Sequence, residues 1–181
     1  MCLPRSDGYL FAHDLPASTV VAVTAQDMNA QDIFTRVGDE PMRLAIVGST
    51  VFEHDPVALA QANALIEQVL LHYQPELVVS GGAPGIDRLA ERLANAHALP
   101  TLVCKPRNPR WEPHGYKERN IKIAETCTHL LAIRHTSSTT YGSGWTADYA
   151  ERLGRQVHRA SLPSGPPTNA GKGPHTQLSL L

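Results

Sequence analysis

Two short stretches of the chain, 80–87 and 141–148, each contain glycines together with hydroxyl-bearing and acidic residues. Glycine lets a backbone N–H group approach a ligand with no Cβ in between, and the start of a helix adds partial positive charge. We therefore expect both stretches to bind phosphate, the alternative being tight turns that only pack a helix on a strand. The ligand-binding candidates in these turns are Ser80, Gly81, Gly82, Ala83, Asp87, Gly142, Ser143, Gly144, Trp145 and Thr146.

Two further stretches could contribute to the same chemistry. The hydroxyl groups in Gly48-Ser49-Thr50 could bind a phosphate or a ribose, or could cap a helix. Arg119, beside Asn120, offers a planar fork for phosphate or carboxylate, unless this helix face is simply solvated. Asp148 could complement a helix dipole in the first turn of its helix, or face the cleft as a general acid or base.

Other kinds of chemistry find little support in the sequence. Cys104 and Cys127 lack the spacing of a zinc site, and we expect no metal and no cofactor. Ser80 does not lie in a GxSxG elbow, which argues against a serine hydrolase of that type. Trp111, among basic residues, could stack on a base or anchor a loop.

Strands and helices that alternate between residues 43 and 159 would bring these turns together. Short apolar runs predict five strands, and amphipathic stretches between them predict helices. Such a rhythm predicts a Rossmann-like three-layer sandwich, with helices on both faces of a mostly parallel sheet. Ligands then bind beyond the carboxyl ends of the strands, where the candidate turns lie. The predicted strands are 44–47, 77–80, 101–104, 129–133 and 155–158, and the helices are 55–69, 85–98, 116–126 and 145–153.

The two ends of the 181-residue chain differ from its middle. Residues 1–41 are predicted to be an extension that packs on the core or floats, with a possible strand at 18–23 and a possible helix at 25–37. Residues 161–181 are rich in proline and glycine and are predicted to be a disordered tail. The ligand-binding domain is accordingly expected over 42–160.

Charge and hydropathy limit the partners that we expect. No apolar run has the length of a membrane helix and no signal peptide is evident, so we expect a protein that does not enter a membrane. The three cysteines form no disulfide framework, so we expect a reducing cytoplasm. The net charge is −1 for the chain and +2 over 43–159, which argues against nucleic acid. A local basic patch keeps single-stranded DNA binding as an alternative; it comprises Lys105, Arg107, Arg110, Lys117, Arg119 and Lys122.

Four motifs, in this order and spacing, resemble the SLOG superfamily of Rossmann-like domains, in particular its YspA-like branch. They are VGST, VVSGGAPGIDRLAERLA, YKERNIKIAETCTHLLAI and YGSGWTADYAERLGRQV, and they span about 43–159. This resemblance implies a nucleotide or a nucleotide-derived ligand at the carboxyl edge of the sheet, in a sensor or processing domain. It also implies a homo-oligomer, because SLOG relatives often dimerise through helices that flank the site.

Two SLOG relatives suggest more specific functions. The Lonely Guy phosphoribohydrolases cleave the N-glycosidic bond of a nucleoside monophosphate with an arginine and a glutamate, which by resemblance makes Arg119 and Asp148 the catalytic candidates. Here Pro-Gly-Gly is absent, and an aspartate stands where the glutamate is expected. DprA binds single-stranded DNA. Nucleotide binding, N-glycosidic cleavage and DNA binding therefore stand as three alternatives.

Overall fold

The computed structural model describes residues 33–35 and 41–163, in which five strands alternate with four α-helices. A short 3₁₀ helix, Thr50–His54, follows the first strand. The other elements, in chain order, are β1 Arg43–Gly48, α1 Pro56–Tyr73, β2 Leu77–Ser80, α2 Ile86–Ala96, β3 Thr101–Val103, α3 Tyr116–Thr126, β4 His129–His135, α4 Gly142–Arg152 and β5 Gln156–Leu162.

All five strands are parallel and lie in the order β3-β2-β1-β4-β5. The chain winds from β1 outward to β3, then crosses back to β4 on the other side of β1. The switch in direction leaves a crevice beyond the carboxyl ends of β1 and β4, the usual ligand position in such sheets. The parallel α/β sandwich predicted from the alternating pattern is confirmed.

Helices cover both faces of the sheet, because successive side chains of each strand point to opposite faces. Leu44 and Ile46 of β1 pack in the cluster formed with α1 and α2. Ala45 and Val47 of the same strand pack in the cluster formed with α3 and α4. The first helix starts as the sequence predicts, with Asp55 as its N-cap.

Part of the predicted N-terminal extension packs on the core. Phe34 is buried, and its backbone exchanges hydrogen bonds with the hydroxyl group of Tyr73. Residues 33–35 form a bend, so the helix predicted over 25–37 is wrong there; its other residues and the strand predicted at 18–23 lie outside the described residues.

Several boundaries differ from the predictions, and two of these differences change the predicted organisation of the chain. Strand β5 continues to Leu162, which is fully buried, so residues 161 and 162 belong to the sheet and not to the tail. Helix α4 begins at Gly142 rather than at 145, because the N–H of Trp145 already donates to the carbonyl oxygen of Tyr141 at 2.8 Å. Glycine and serine are weak helix formers, but the first turn tolerates them when its N–H groups face open space or a ligand. Residues 164–181 lie outside the described part.

Candidate functional site

A cavity of about 510 Å³ opens at the carboxyl edge of the sheet, beside the crevice between β1 and β4. This volume lies in the range of small-molecule sites. The turns after β1, β2 and β4 contribute to its walls, as does the first half of α3. The lining residues are Val47, Gly48, Thr50, Gly81, Gly82, Ala83, Pro84, Pro106, Trp111, Tyr116, Arg119, Asn120, Ile123, Thr140, Gly142, Ser143 and Thr146.

The glycine-rich turn before α2 is already occupied by a carboxylate of the protein itself. Asp87, in the first turn of α2, accepts the N–H of Gly48 at 3.2 Å and the N–H of Ala83 at 3.3 Å. The N–H of Gly82 donates to the Ser80 hydroxyl at 3.0 Å. Two of the donors that the sequence assigned to a phosphate, the N–H groups of Gly82 and Ala83, therefore bind groups of the protein itself.

Burial raises the pKa of Asp87 to about 6, although the Arg119 guanidinium and the two backbone N–H groups lower it. The side chain is only 5 % exposed. Removal from water is the larger effect because a carboxylate loses its hydration in the protein interior. Asp87 thus carries its charge at neutral pH and loses it in mildly acidic solution.

Arg119 joins α3 to the turn before α2. Its Nη1 donates to the carbonyl oxygen of Gly81 at 2.9 Å and lies 3.8 Å from Oδ2 of Asp87. The guanidinium carbon lies 5.2 Å from the centre of the Tyr116 ring. The Nε atom is buried and makes no hydrogen bond within the described part of the chain. Arg119 therefore lines the cavity while its Nη1 is bound to the turn before α2.

The first turn of α4 is open, in contrast to that of α2. Gly142 and Ser143 line the cavity. The first N–H groups of any α-helix have no acceptor within the helix itself. The carbonyl oxygen of Gly142 accepts hydrogen bonds from Thr146 Oγ1 at 2.9 Å and from Asn120 Nδ2 at 3.4 Å. The bond from Asn120 connects the start of α4 to α3, whereas the bond from Thr146 lies within α4. The open N–H groups and the helix dipole together favour an anion.

The structure brings ten of the predicted residues to the cavity and places six elsewhere. Those that line it are Gly48, Thr50, Gly81, Gly82, Ala83, Arg119, Asn120, Gly142, Ser143 and Thr146. Those that do not are Ser49, Ser80, Asp87, Gly144, Trp145 and Asp148. Lining the cavity is a statement of position, and the binding role of each residue stays a prediction.

The two serines outside the lining have structural partners. Ser49 accepts the N–H of Val51 at the start of the 3₁₀ helix and donates to Ser138 at 3.1 Å, as in the capping alternative. Ser80 is fully buried and donates to Glu91 Oε1 at 2.5 Å. Both hydroxyl groups are held inside the protein, away from the cavity.

Asp148 lies in the second turn of α4, not in the first as expected, because the helix begins three residues earlier. Its carboxylate accepts the Tyr141 hydroxyl at 2.6 Å and the Arg159 guanidinium at 2.7 Å. The hydrogen bond to Asp148 raises the pKa of Tyr141. This carboxylate faces β5 rather than the cavity, so the geometry lends no support to its predicted catalytic role.

Aromatic and apolar residues that sequence reasoning largely missed form another wall of the cavity. Trp111 and Tyr116 lie on it, with Trp111 held edge-on by Trp145, whose ring centre is 5.2 Å away. Trp145 in turn stacks on Tyr149. Trp111 had two interpretations, base stacking or loop anchoring, and its place on the cavity wall is compatible with both. Thr140 and Pro106 carried no signal in the sequence beyond their place in loops after strands.

Comparison with known proteins defines the fold and little else. No family model and no curated protein matches the chain. Its structure is similar to that of the molybdenum cofactor carrier protein MCP from Chlamydomonas reinhardtii, with 16 % identity and a TM-score of 0.51, over 67 % of this chain and 78 % of that one.

A second solved structure, the DNA processing protein A (DprA) from Streptococcus pneumoniae, aligns with 16 % identity and a TM-score of 0.41, over 66 % of this chain and 59 % of that one. The likeness to MCP supports the Rossmann-like α/β fold alone; the SLOG resemblance and its YspA-like branch stay predictions. Within residues 33–35 and 41–163, no helix is long and apolar enough to cross a membrane.

Proposed function

We propose that this protein binds a nucleotide or a nucleotide-derived ligand, with a phosphate at the start of α4 and the base against Trp111 and Tyr116. One observation carries the proposal. The open first turn of α4, the Arg119 side chain and two aromatic side chains belong to the same site. A phosphate needs N–H donors and positive charge, and a base needs a flat apolar surface.

Position within the fold supports the same ligand class. The cavity lies beyond the carboxyl ends of the strands, where Rossmann-like folds place nucleotides. The SLOG resemblance implies such a ligand as well. One protein with a similar fold is described as the carrier of a cofactor, and a role in holding a ligand without converting it is the form that we propose here.

The alternatives receive less support from the geometry. Cleavage of an N-glycosidic bond was expected to use Asp148, which is bound to Tyr141 and Arg159 instead. Binding of a DNA strand needs a groove with several cations, whereas Arg119 is the one lysine or arginine among the described residues that line this cavity.

A thermal-shift screen with AMP, ADP-ribose, NAD, cyclic dinucleotides and a short single-stranded DNA tests the proposal. A ligand at one hundred times its Kd adds about 2.7 kcal/mol to the free energy of unfolding, which shifts the melting temperature visibly. Chromatography of each mixture then shows whether free base is released. We expect a shift with at least one mononucleotide or dinucleotide and recovery of the intact ligand. Free base would establish cleavage, and a shift with DNA alone would contradict the proposal.

Ser143 offers a matched pair of variants for the phosphate position. In Ser143→Asp, the new carboxylate competes with a phosphate, so binding of the best nucleotide from the screen should weaken at least about tenfold, or about 1.4 kcal/mol. The helix itself should become slightly more stable, by about 0.3–1 kcal/mol, because an acid near its N-terminus complements the dipole. Ser143→Ala is the control and should bind nearly as the wild type does. Equal binding by all three proteins would place the phosphate elsewhere.

A further inference from the structure

A serine, a histidine and an aspartate form a hydrogen-bonded chain at the end of β4, and none of the three lines the ligand cavity. The hydroxyl oxygen of Ser137 lies 2.7 Å from Nδ1 of His135. On the other side of the ring, Nε2 of His135 lies 3.2 Å from Oδ2 of Asp55. A nucleophile, a base and a carboxylate that orients the base are the parts of an activated hydroxyl group.

The direction of each hydrogen bond follows from a fourth contact. The backbone N–H of Ser137 also points at Nδ1 of His135, at 3.2 Å. A backbone N–H can only donate, so Nδ1 holds a lone pair and the ring proton sits on Nε2, from which it is donated to Asp55. The Ser137 hydroxyl therefore donates to Nδ1. Histidine is in the tautomer that a general base requires.

The base is fixed and the nucleophile is accessible. Oδ1 of Asp55 caps α1 by accepting the N–H groups of Val57 and Ala58, which leaves Oδ2 directed at the histidine. The His135 side chain is 2 % exposed, and Phe52 packs edge-on against its ring at 5.0 Å. Ser137 itself is exposed. Because the base is buried and the serine residue is exposed, an electrophile can reach Ser137 from solvent.

We propose that Ser137 is a nucleophile toward activated carboxylic esters, with His135 as its general base and Asp55 as the positioning residue. The Ser137 oxygen bonds to the ester carbonyl carbon while its proton moves to Nδ1 of His135. The ester C–O bond then breaks, and the leaving alcohol takes this proton. Water reverses the sequence: it gives a proton to His135, attacks the acyl-serine, and releases the carboxylic acid and the free hydroxyl group.

A fluorophosphonate reagent tests the reactivity of the full chain directly. Attack by Ser137 forms an O–P bond and expels fluoride, so the adduct appears as a mass increase on the peptide that contains Ser137. We expect this adduct in the wild type and its loss in Ser137→Ala. Thr139→Ala, which removes an exposed hydroxyl group from the same loop, should react at the wild-type rate.

The variant Asp55→Asn should lower the reactivity of Ser137 while it leaves the fold stable. Asparagine caps a helix as well as aspartate does, so α1 should remain stable. With the amide oxygen on the helix, its NH₂ group faces the Nε2–H of His135, so the charged ring that forms during attack by Ser137 loses the carboxylate that stabilises it. The rate of labelling should fall at least about 100-fold, the scale of general-base catalysis.

Nitrogen NMR of the His135 ring provides a readout that a purely structural role would leave unchanged. A hydrogen bond from Nε2–H of His135 is expected in the wild type and its loss is expected in Asp55→Asn, with similar melting temperatures. Absence of an adduct on Ser137 in the folded wild type would overturn the proposal. Equal labelling rates in the wild type and Asp55→Asn would overturn the assigned roles of His135 and Asp55.

Discussion

The starts of α2 and α4 look alike in sequence and behave differently in the structure. Both follow a strand, and both combine glycines, a serine and an aspartate. At α2, Asp87 turns back and accepts two backbone N–H groups of its own surroundings. At α4, Asp148 lies one turn later, where it binds Tyr141 and Arg159. The position of one carboxylate thus decides which turn is closed and which is open.

This difference teaches that a glycine-rich helix start need not serve a ligand. A carboxylate within the first turn can itself be the anion that the N–H groups and the helix dipole attract. The turn before α2 then becomes a rigid support that holds Arg119 through the carbonyl oxygen of Gly81. The turn before α4 is the one at which we propose that an external anion binds.

The largest expected effect is on stability, in Gly85→Ala. Gly85 has φ +80°, and a Cβ there would lie 2.7 Å from the carbonyl oxygen of Ser49. Backbone strain and overpacking together should cost about 3 kcal/mol. The control is Gly142→Ala, because a Cβ at Gly142 meets nothing within 4 Å; it should stay within about 0.5 kcal/mol of the wild type or gain stability. Chemical denaturation of both variants measures the difference, and similar costs would erase the distinction between the two turns.

The second prediction concerns pH and Asp87. Because the pKa of this carboxyl is raised by folding, from 3.8 to about 6, its contribution to stability is complete at low pH and is lost as the pH rises through about 6. Asp87→Asn removes this titration. The free energy of unfolding of the wild type, relative to the variant, should therefore fall by up to about 3 kcal/mol between pH 4 and pH 7. Urea denaturation at several pH values checks it, and a difference that does not change with pH would contradict the closed turn.

Replacing one serine in each turn should give a smaller difference in stability. Ser80→Ala removes the acceptor of the Gly82 N–H and the donor to Glu91, both inside the protein, and should cost about 1–3 kcal/mol. Ser143→Ala should change stability by less than about 0.5 kcal/mol, because no buried partner loses a hydrogen bond. Thermal denaturation of the two variants side by side makes the measurement. Equal losses would indicate that Ser143 also has a structural role.

The smallest expected effect belongs to Asp148→Asn. Its ion pair with Arg159 is partly exposed, so stability should change by less than about 1 kcal/mol. Affinity for the best nucleotide from the screen should change less than about twofold, since this carboxylate does not line the cavity. Calorimetry gives both values. Free base released by the wild type and not by this variant would instead support the catalytic role predicted from the family resemblance.

Local patterns were sufficient to predict most of the fold. Apolar runs such as that of β2, and the Asp55-Pro56 start of α1, are signals that a few neighbouring residues carry. The predicted ends of helices and strands were wrong where contacts between residues far apart in the sequence determine them. Leu162 is in the sheet because β4 supplies its partner, at His135. The start of α4 is held by Asn120, a residue of another helix.

The candidate site was predicted in outline for the same reason. Its glycines and Arg119 stand out because residue type alone states what each could bind. Trp111 and Tyr116 become cavity walls only when the loop after β3 folds back over α3, as shown by the bond from Lys117 N–H to the carbonyl oxygen of Trp111 at 3.1 Å. No short window of sequence contains that information.

The sequence by itself determined the alternation of strands and helices and the placing of polar turns after each strand, because periodicity and turn chemistry act between near neighbours. Only the tertiary structure decided that Asp87 occupies its own turn while Asp148 turns away. It also decided that Asp55, 80 residues before His135, lies within hydrogen-bond distance of this histidine. A carboxylate forms hydrogen bonds and ion pairs only with groups within a few ångströms of it. The packing of the sheet and helices determines which groups those are, and the order of residues in the sequence does not.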